Sequence, residues 1–133
     1  TGGSVMVFGA NRNILHVVKK FMEFFVEESC GYCTPCRVGN VLLLEKVEAI
    51  LAGQGEPADL AYLQNLAETI KATSRCGLGQ TSPNPVLSTL KNFRPAYEAL
   101  LRKDTNGSCP TFDIHKAVSD ASRISGRKSV IYS

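Results

Sequence analysis

The sequence predicts an all-α fold, a helical bundle preceded by one short strand and followed by a helical extension. Two observations support this class: apolar residues recur at helical spacing through most of the chain, and glycine- or proline-containing breaks separate these periodic segments. The chain has 133 residues, of which 44% are hydrophobic and 20% charged. This length and composition suffice for one globular core.

The first 13 residues differ in pattern from the rest of the chain. Residues 2–9 place apolar and β-branched residues between glycines, which predicts one short strand. A single strand is not stable alone, and Thr1 is not a translation start. We therefore expect residues 1–13 to be the end of an upstream sheet domain, and the chain to be a piece of a longer protein.

The bundle is predicted over residues 14–102 and begins with three long helices. The first covers residues 14–28, with Asn11 or Asn13 as its N-cap, and its wide apolar arc predicts that its phenylalanines lie in the core. The second covers residues 35–51 and the third residues 57–74, because both start with a proline, which suits the first helical turn. These two helices should form an antiparallel hairpin.

The remainder divides into the end of the bundle and an extension. A helical segment that begins at Pro83 and Pro85 should bend or split near residues 92–94, because Pro95 interrupts it. Residues 103–133 start with a turn-rich linker and contain one more predicted helix, over residues 112–124 and ending at Gly126.

Charge and hydropathy exclude several classes of function. The formal net charge is +3, and residues 102–133 account for this excess with six Lys or Arg against three Asp. Nucleic-acid binding would need a denser basic stripe with aromatic residues between the charges. No apolar stretch reaches the roughly 20 residues of a membrane span, and no signal peptide is present. We expect a cytoplasmic domain that neither spans a membrane nor binds nucleic acid.

Four of the five cysteines form the most informative motif. Cys30, Cys33 and Cys36 are separated by two-residue gaps, and 39 residues lie between Cys36 and Cys76. Three closely spaced thiolates with one remote thiolate suit a cubane [4Fe-4S] cluster, in which each iron needs one sulfur ligand. Zinc also accepts four cysteines, usually as two separated pairs, so a structural zinc-binding interaction module is the alternative. Electron transfer is the leading function.

The predicted hairpin accounts for the wide gap before the fourth cysteine. Two arms of about 16 residues each rise about 24 Å, so the second arm returns Cys76 to the level of Cys36. Cys36 falls in the first turn of its helix, where the dipole and free N–H groups favour an anionic site. Arg37 and Arg75 adjoin ligands, and we expect them to tune the cluster by charge and hydrogen bonding.

Other reactive residues do not form a catalytic site. His16 and His115 lie in separate helical segments without a paired carboxylate motif, and no nucleophile, dinucleotide or Walker motif is present. Cys109 lies in the extension before Pro110, and we expect it to be a free thiol. Catalytic residues are therefore expected elsewhere, and the role of residues 103–133 stays open.

The motifs together resemble the NADH-oxidising flavoprotein subunit family. The residues that carry the resemblance are Glu28-Ser29-Cys30-Gly31-Tyr32-Cys33-Thr34-Pro35-Cys36-Arg37-Val38-Gly39, Cys76-Gly77-Leu78-Gly79 and Pro85-Val86-Leu87-Ser88-Thr89-Leu90. The family includes the flavin subunit of respiratory complex I, the diaphorase subunit of soluble NAD-reducing hydrogenases, and the β subunit of NAD-dependent formate dehydrogenases. The likeness covers roughly residues 1–102 and matches the family's carboxy-terminal portion.

The resemblance implies a role, cofactors and partners. It implies that Cys30, Cys33, Cys36 and Cys76 ligate one [4Fe-4S] cluster, which exchanges single electrons with FMN and with iron-sulfur centres of a neighbouring subunit. FMN in turn exchanges a hydride with NAD(H), within an NAD-reducing hydrogenase or NADH dehydrogenase type of oxidoreductase. The implied partners are the upstream flavin and NAD domain of the same chain, a small iron-sulfur diaphorase subunit, and hydrogenase or formate dehydrogenase subunits.

Two finer expectations follow from the same resemblance. Most flavin and nucleotide residues of the family lie upstream of Thr1, but Gly77 and Leu78, beside the fourth ligand, are implied to face the flavin. The residues 31–32 and 37–40 resemble the hydrogenase diaphorase branch, because complex I subunits more often have Glu after the arginine, where this chain has Val38. The formate dehydrogenase β subunit and the complex I flavin subunit are the alternatives within the family.

Overall fold

The computed structural model describes residues 6–102, together with Arg123 and Gly126. The chain divides into two compact units, Thr1–Lys103 and Asp104–Ser133, and the first is described below. Its described part contains six helices and no strand, which confirms the all-α prediction. The helices are α1 (Ile14–Glu27), α2 (Thr34–Leu51), α3 (Pro57–Thr73), α4 (Gly77–Thr81), α5 (Asn84–Asn92) and α6 (Arg94–Glu98).

Local signals place the ends of the long helices close to the predicted positions. The side chain of Asn13 accepts the backbone N–H of Leu15 at 2.9 Å, so Asn13 rather than Asn11 is the N-cap of α1. Pro35 lies in the first turn of α2, and Pro57 begins α3. The predicted split near residues 92–94 is confirmed, because α5 ends and α6 begins on either side of Phe93.

The predicted strand near the start of the chain is not found in the described residues, and most of the predicted helix near its end lies outside them. The predicted strand is wrong for residues 6–9, which have no strand pairing; a strand requires a neighbour to bond its N–H and C=O groups, and the described residues supply none. Instead, the N–H of Arg12 donates to the carbonyl of Gly9 at 3.0 Å in a turn. Residues 1–5 lie outside the described residues, as does the predicted helix over 112–124 apart from Arg123, which is helical.

Helices α2 and α3 form the predicted hairpin, α1 packs against α2, and α5 contacts α1 and α3. Their facing stripes form one core, because each helix buries the apolar residues that recur on one side. The buried apolar residues are Leu15, Val18, Met22, Leu43, Val47, Ile50, Leu60, Leu63, Ala67, Ile70, Val86, Leu90 and Tyr97. Among the described residues, no helix is both long enough and apolar enough to cross a membrane.

The phenylalanines of α1 are less buried than predicted. Phe24 is 53% exposed, and Phe21 and Phe25 are half-buried. They line an open groove of about 880 Å³ together with Phe8 and Val17. The prediction that these aromatic side chains form the core is therefore wrong for Phe24, because the neighbouring helices cover only part of the wide apolar arc.

Helices α2 and α3 come close together at the cysteine end of the hairpin. This approach depends on Gly39, since a Cβ at that position would lie 2.5 Å from Cγ1 of Ile70. Ile70 is itself only 1% exposed, so it has little room to move. The start of α2 therefore packs directly against the end of α3, which leads to Cys76.

We expect Gly39→Ala to lower the free energy of unfolding by about 1–2 kcal/mol, because overpacking a core exceeds the helix-propensity gain of about 1 kcal/mol. Chemical denaturation monitored by circular dichroism measures the change. Gly77→Ala is the matched control, because a Cβ there meets no atom within 4 Å. Wild-type stability in Gly39→Ala would contradict this account of the helix contact.

A hydrogen bond between the buried Tyr97 and the half-buried Thr89 joins α6 to α5 and predicts that the stability of the fold depends on pH. The hydroxyl of Tyr97 lies 2.7 Å from that of Thr89, whose own proton is directed to the carbonyl of Pro85 at 2.6 Å. Burial raises the pKa of Tyr97, and the hydrogen bond with Thr89 opposes that shift. Above pH ~10 the unfolded chain loses this proton while the folded chain retains it, so stability must fall as the pH rises further.

We expect Tyr97→Phe to cost about 1 kcal/mol near neutral pH through the lost hydrogen bond. The difference between the wild type and the variant should shrink above pH ~10, because only the wild type has the raised tyrosine pKa. Denaturation curves between pH ~8 and ~11 test this comparison. A constant difference across that range would show that Tyr97 does not contribute to the pH dependence.

Candidate metal centre

The three closely spaced cysteines lie on the loop between α1 and α2 and in the first turn of α2. The loop turns at Gly31, whose φ of +75° is in the left-handed region that favours glycine. Arg37 donates from Nη1 to the Gly31 carbonyl at 2.7 Å, and Ser29 Oγ accepts the Gly31 N–H at 3.3 Å. These contacts fold the loop back onto the start of α2.

The three thiols differ in exposure and surroundings. Cys30 is exposed, Cys33 is half-buried, and Cys36 is only 5% exposed. Cys33 is the N-cap residue of α2, and its pKa is lowered first by the backbone N–H of Arg75 and next by that of Cys36, against the opposing effect of burial. The Cys33 thiol is therefore close to the backbone of the residue that precedes Cys76.

Cys76 caps a helix that the sequence did not predict. It is the N-cap residue of α4, which starts at Gly77. Gly79, two residues into this helix, is buried. A Cβ on Gly79 would meet the side chain of Ser74 and lie 3.1 Å from Cβ of Cys36. The first turn after Cys76 thus packs against the third cysteine.

A side-chain contact also joins the residue before Cys76 to the loop between α1 and α2, residues 28–33, called the cysteine loop below. Arg75 donates from Nη1 to the hydroxyl of Tyr32 at 3.2 Å, and its guanidinium lies 5.2 Å from the centre of the Tyr32 ring. This geometry is a cation–π contact, of modest strength because both groups are exposed. Both predicted tuning arginines therefore contact the loop, Arg37 at Gly31 and Arg75 at Tyr32.

The segments that carry the predicted ligands meet at one end of the hairpin. Cys33 meets the segment before Cys76, and Cys36 meets the turn after it. All four cysteines are free thiols. Within the part of the chain that the structure describes, no three side chains of Cys, His, Asp or Glu are grouped as ligands of a single metal ion. The two residues expected to face a flavin, Gly77 and Leu78, are exposed and half-buried, respectively.

A buried polar network around Cys36 was not predicted. Asn40, 0% exposed, donates from Nδ2 to Cys36 Sγ at 3.4 Å, and its Oδ1 accepts the hydroxyl of Ser82 at 2.7 Å. Ser29 Oγ lies 3.3 Å from the same sulfur. One signal could have found Asn40: it lies one helical turn after Cys36, on the face that later buries Leu43. A polar residue on the buried, apolar face of a helix indicates that its side chain has a buried hydrogen-bond partner.

Ser74 supplies an independent observation about the fit of a sulfur-rich cofactor. Its Oγ is buried, and it has no hydrogen-bond partner among the described residues. The position is next to Gly79, which in turn packs against Cys36. A buried hydroxyl without a partner is costly, and an anionic sulfide or thiolate nearby would accept a hydrogen bond from it. Four thiols, a nearby helix N-terminus and this free donor fit a [4Fe-4S] cluster.

Comparison with known proteins identifies the family. Residues 16–100 match the model described as the NADH-ubiquinone oxidoreductase-F iron-sulfur binding region. The chain belongs to this family. The resemblance found in the sequence is thereby confirmed, and the family model describes this part of the chain as an iron-sulfur binding region.

Relatives within the family come from hydrogenases and from NADH-quinone oxidoreductases. The chain is 43% identical over 116 residues to the NAD-reducing hydrogenase HoxS subunit alpha of Cupriavidus necator, covering 87% of this chain and 19% of that protein. It is 37% identical over 120 residues to an NADH-quinone oxidoreductase subunit of Streptomyces coelicolor, covering 90% and 26%, respectively.

A solved structure shows the same fold. A crystal structure of NAD⁺-reducing [NiFe]-hydrogenase in the H₂-reduced state matches with a TM-score of 0.74 and 36% identity, over 98% of this chain and 22% of that one. The chain therefore spans about a fifth to a quarter of the length of these relatives.

The contact between Gly79 and Cys36 makes a testable prediction for the iron-sulfur region. Gly79→Ala should push α4 away from α2, reducing bound iron and sulfide and lowering stability by about 1–3 kcal/mol through overpacking. Iron and acid-labile sulfide analysis after anaerobic reconstitution measures the loading. Gly77→Ala, with no atom near its new Cβ, should load as the wild type does. Equal loading of the two variants would contradict a role for this contact.

Proposed function

We propose that this chain is the electron-relay part of an NAD(H)-linked flavoprotein, or diaphorase, subunit. In this proposal, Cys30, Cys33, Cys36 and Cys76 ligate one [4Fe-4S] cluster. Two contacts of the segment around Cys76 carry the proposal: the backbone N–H of Arg75 lies close to the Cys33 thiol, and Gly79 packs against Cys36. The chain also belongs to an iron-sulfur binding family. When bound, a [4Fe-4S] cluster supplies one-electron transfer at a potential set by its surroundings.

The residues around the ligands have distinct proposed roles. Cys36, buried in the first turn of α2, anchors the site to the bundle, while Cys30 and Cys76 lie at the surface. The backbone N–H groups at the start of α2 face an anionic site, which they stabilise. Arg37 and Arg75 hold the loop through Gly31 and Tyr32 and place positive charge beside the ligands. Because both arginines are exposed, water screens their influence on the cluster.

The wider arrangement of the protein is part of the same proposal. We place the end of a flavin and NAD(H) domain in residues 1–13, the iron-sulfur bundle in 14–102, and an extension in 103–133. FMN would bind in the upstream part, with Gly77 and Leu78 on the side of the cluster that faces it. The partners would be a small iron-sulfur diaphorase subunit and hydrogenase subunits in the cytoplasm. The 43% identity to a hydrogenase subunit supports this branch.

The test is anaerobic reconstitution followed by metal and sulfide analysis. We expect about four iron and four sulfide per chain, and a cubane-type EPR signal after reduction. Changing any of the four ligands to serine should lower the iron content and broaden or remove the signal, because a hard hydroxyl replaces a soft thiolate.

Cys109→Ser is the matched control for these ligand variants, since Cys109 is predicted to be a free thiol. It should load iron and sulfide as the wild type does. A colourless protein with one zinc per chain and no acid-labile sulfide would reject the electron-relay proposal and favour a structural zinc module. Loss of iron in Cys109→Ser, with full loading in Cys76→Ser, would reject the ligand assignment.

A further inference from the structure

We infer that Asn40 is a positioning residue that sets the reduction potential of the centre ligated by Cys36. The inference rests on the proposed function and deepens it. It concerns the hydrogen-bonded series Ser82–Asn40–Cys36, in which each group is buried. No other described ligand sulfur has a fully buried side-chain donor of this kind among the hydrogen bonds of the structure.

The position of Asn40 indicates a specific role for its amide. Asn40 lies on the buried stripe of α2, between Cys36 and Leu43, where the helix otherwise presents apolar side chains. Both polar ends of the amide have a partner, Cys36 Sγ at 3.4 Å and Ser82 Oγ at 2.7 Å. A buried amide is tolerated when both ends are bonded, so the network holds the Asn40 side chain in one orientation.

The chemistry of a ligand sulfur requires this orientation. A thiolate bound to iron has no proton to donate, so the group that faces it must be the Asn40 N–H. The Oδ1 atom then faces Ser82, whose hydroxyl supplies the needed proton and also lies 3.2 Å from the carbonyl of Gly79. The thiolate, which can only accept, thereby selects the orientation in which the donor points at Cys36, and Ser82 holds the oxygen end of the amide.

The same series joins the two halves of the ligand set. Asn40 is on α2, four residues after Cys36, and Ser82 is the C-cap residue of α4, the helix that Cys76 caps at its other end. The 2.7 Å bond between them therefore fixes α4 on α2. The contact between Gly79 and Cys36 lies on the same surface between α2 and α4. That surface therefore sets both the position of α4 and the hydrogen bonding of Asn40.

The expected sign follows from electrostatics. The reduced centre carries one more negative charge than the oxidised one, so an N–H donor to a ligand sulfur stabilises the reduced state more and raises the potential. Burial strengthens this effect, because no water screens the interaction. Asn40 is 0% exposed, whereas Arg37 and Arg75 are exposed. The neutral, buried amide should therefore shift the potential more than either exposed charge does.

The experiment compares variants of the reconstituted full chain by EPR-monitored redox titration. Asn40→Leu removes the donor at similar volume and should shift the midpoint to lower potential. At the wild-type midpoint, we expect the ratio of reduced to oxidised centre to fall about tenfold, which corresponds to about 59 mV for one electron. Ser82→Ala leaves the amide in place but removes the hydrogen bond that holds its oxygen, so the N–H should point at Cys36 less persistently and the midpoint should shift in the same direction by less.

Tyr97→Phe is the matched control, because it also removes a hydrogen bond made by a fully buried side chain. The bond between Thr89 and Tyr97 joins α5 to α6 and includes no cysteine-bearing segment. This variant should lower the melting temperature without moving the midpoint. A purely structural role for Asn40 would give the same pattern, lower melting temperature with an unchanged midpoint, and would overturn the inference.

Two failures are distinguishable in this design. If the wild-type chain binds no iron and sulfide, the proposed function is rejected, and the inference with it. If the wild type loads and Asn40→Leu loads with a wild-type midpoint, only the inference is rejected. If Asn40→Leu does not fold or load, Ser82→Ala decides: a lower midpoint supports the inference, and an unchanged midpoint overturns it.

Discussion

The close antiparallel contact between α2 and α3 is the constraint on which the site depends. At the cysteine end, the two helices meet where Gly39 presents no side chain and Ile70 fills the space. This contact places the end of α3 beside the first turn of α2, and hence Cys76 beside the loop that carries the other three cysteines. Without this contact, nothing would bring the Cys76 segment next to the loop that carries Cys30, which lies 46 positions earlier in the sequence.

A second glycine extends this contact to the cysteines that we propose as ligands. Gly79 lets the first turn after Cys76 pack against Cys36, and Ser82 at the end of the same short helix bonds to Asn40 on α2. The first contact is steric and limits the distance between α4 and α2, and the second is a hydrogen bond that limits the rotation of α4 relative to α2. The buried cysteine, Cys36, is the residue at which both contacts meet.

The polar groups around the site fall into two environments with different consequences. Arg37 and Arg75 are exposed and bind the cysteine loop at Gly31 and Tyr32, so they act mainly on its conformation. Asn40 is buried, where a single neutral donor has a stronger effect on a nearby sulfur. We therefore expect burial and hydrogen bonding to affect a bound cluster more than exposed formal charge does.

The helix ends, the hairpin and the candidate ligand set could be predicted from the amino-acid sequence alone. The residues that begin or interrupt helices act within one helical turn, so the sequence predicts their effects without knowledge of the fold. These residues are Asn13, Pro35, Pro57 and Pro95. Helix α4, the burial of Asn40 and the exposure of Phe24 depend on tertiary contacts. A glycine-rich five-residue helix has little intrinsic stability and forms here against Cys36 and Ser74. Which side of a helix meets a neighbour depends on contacts between distant segments, and local patterns do not contain that information.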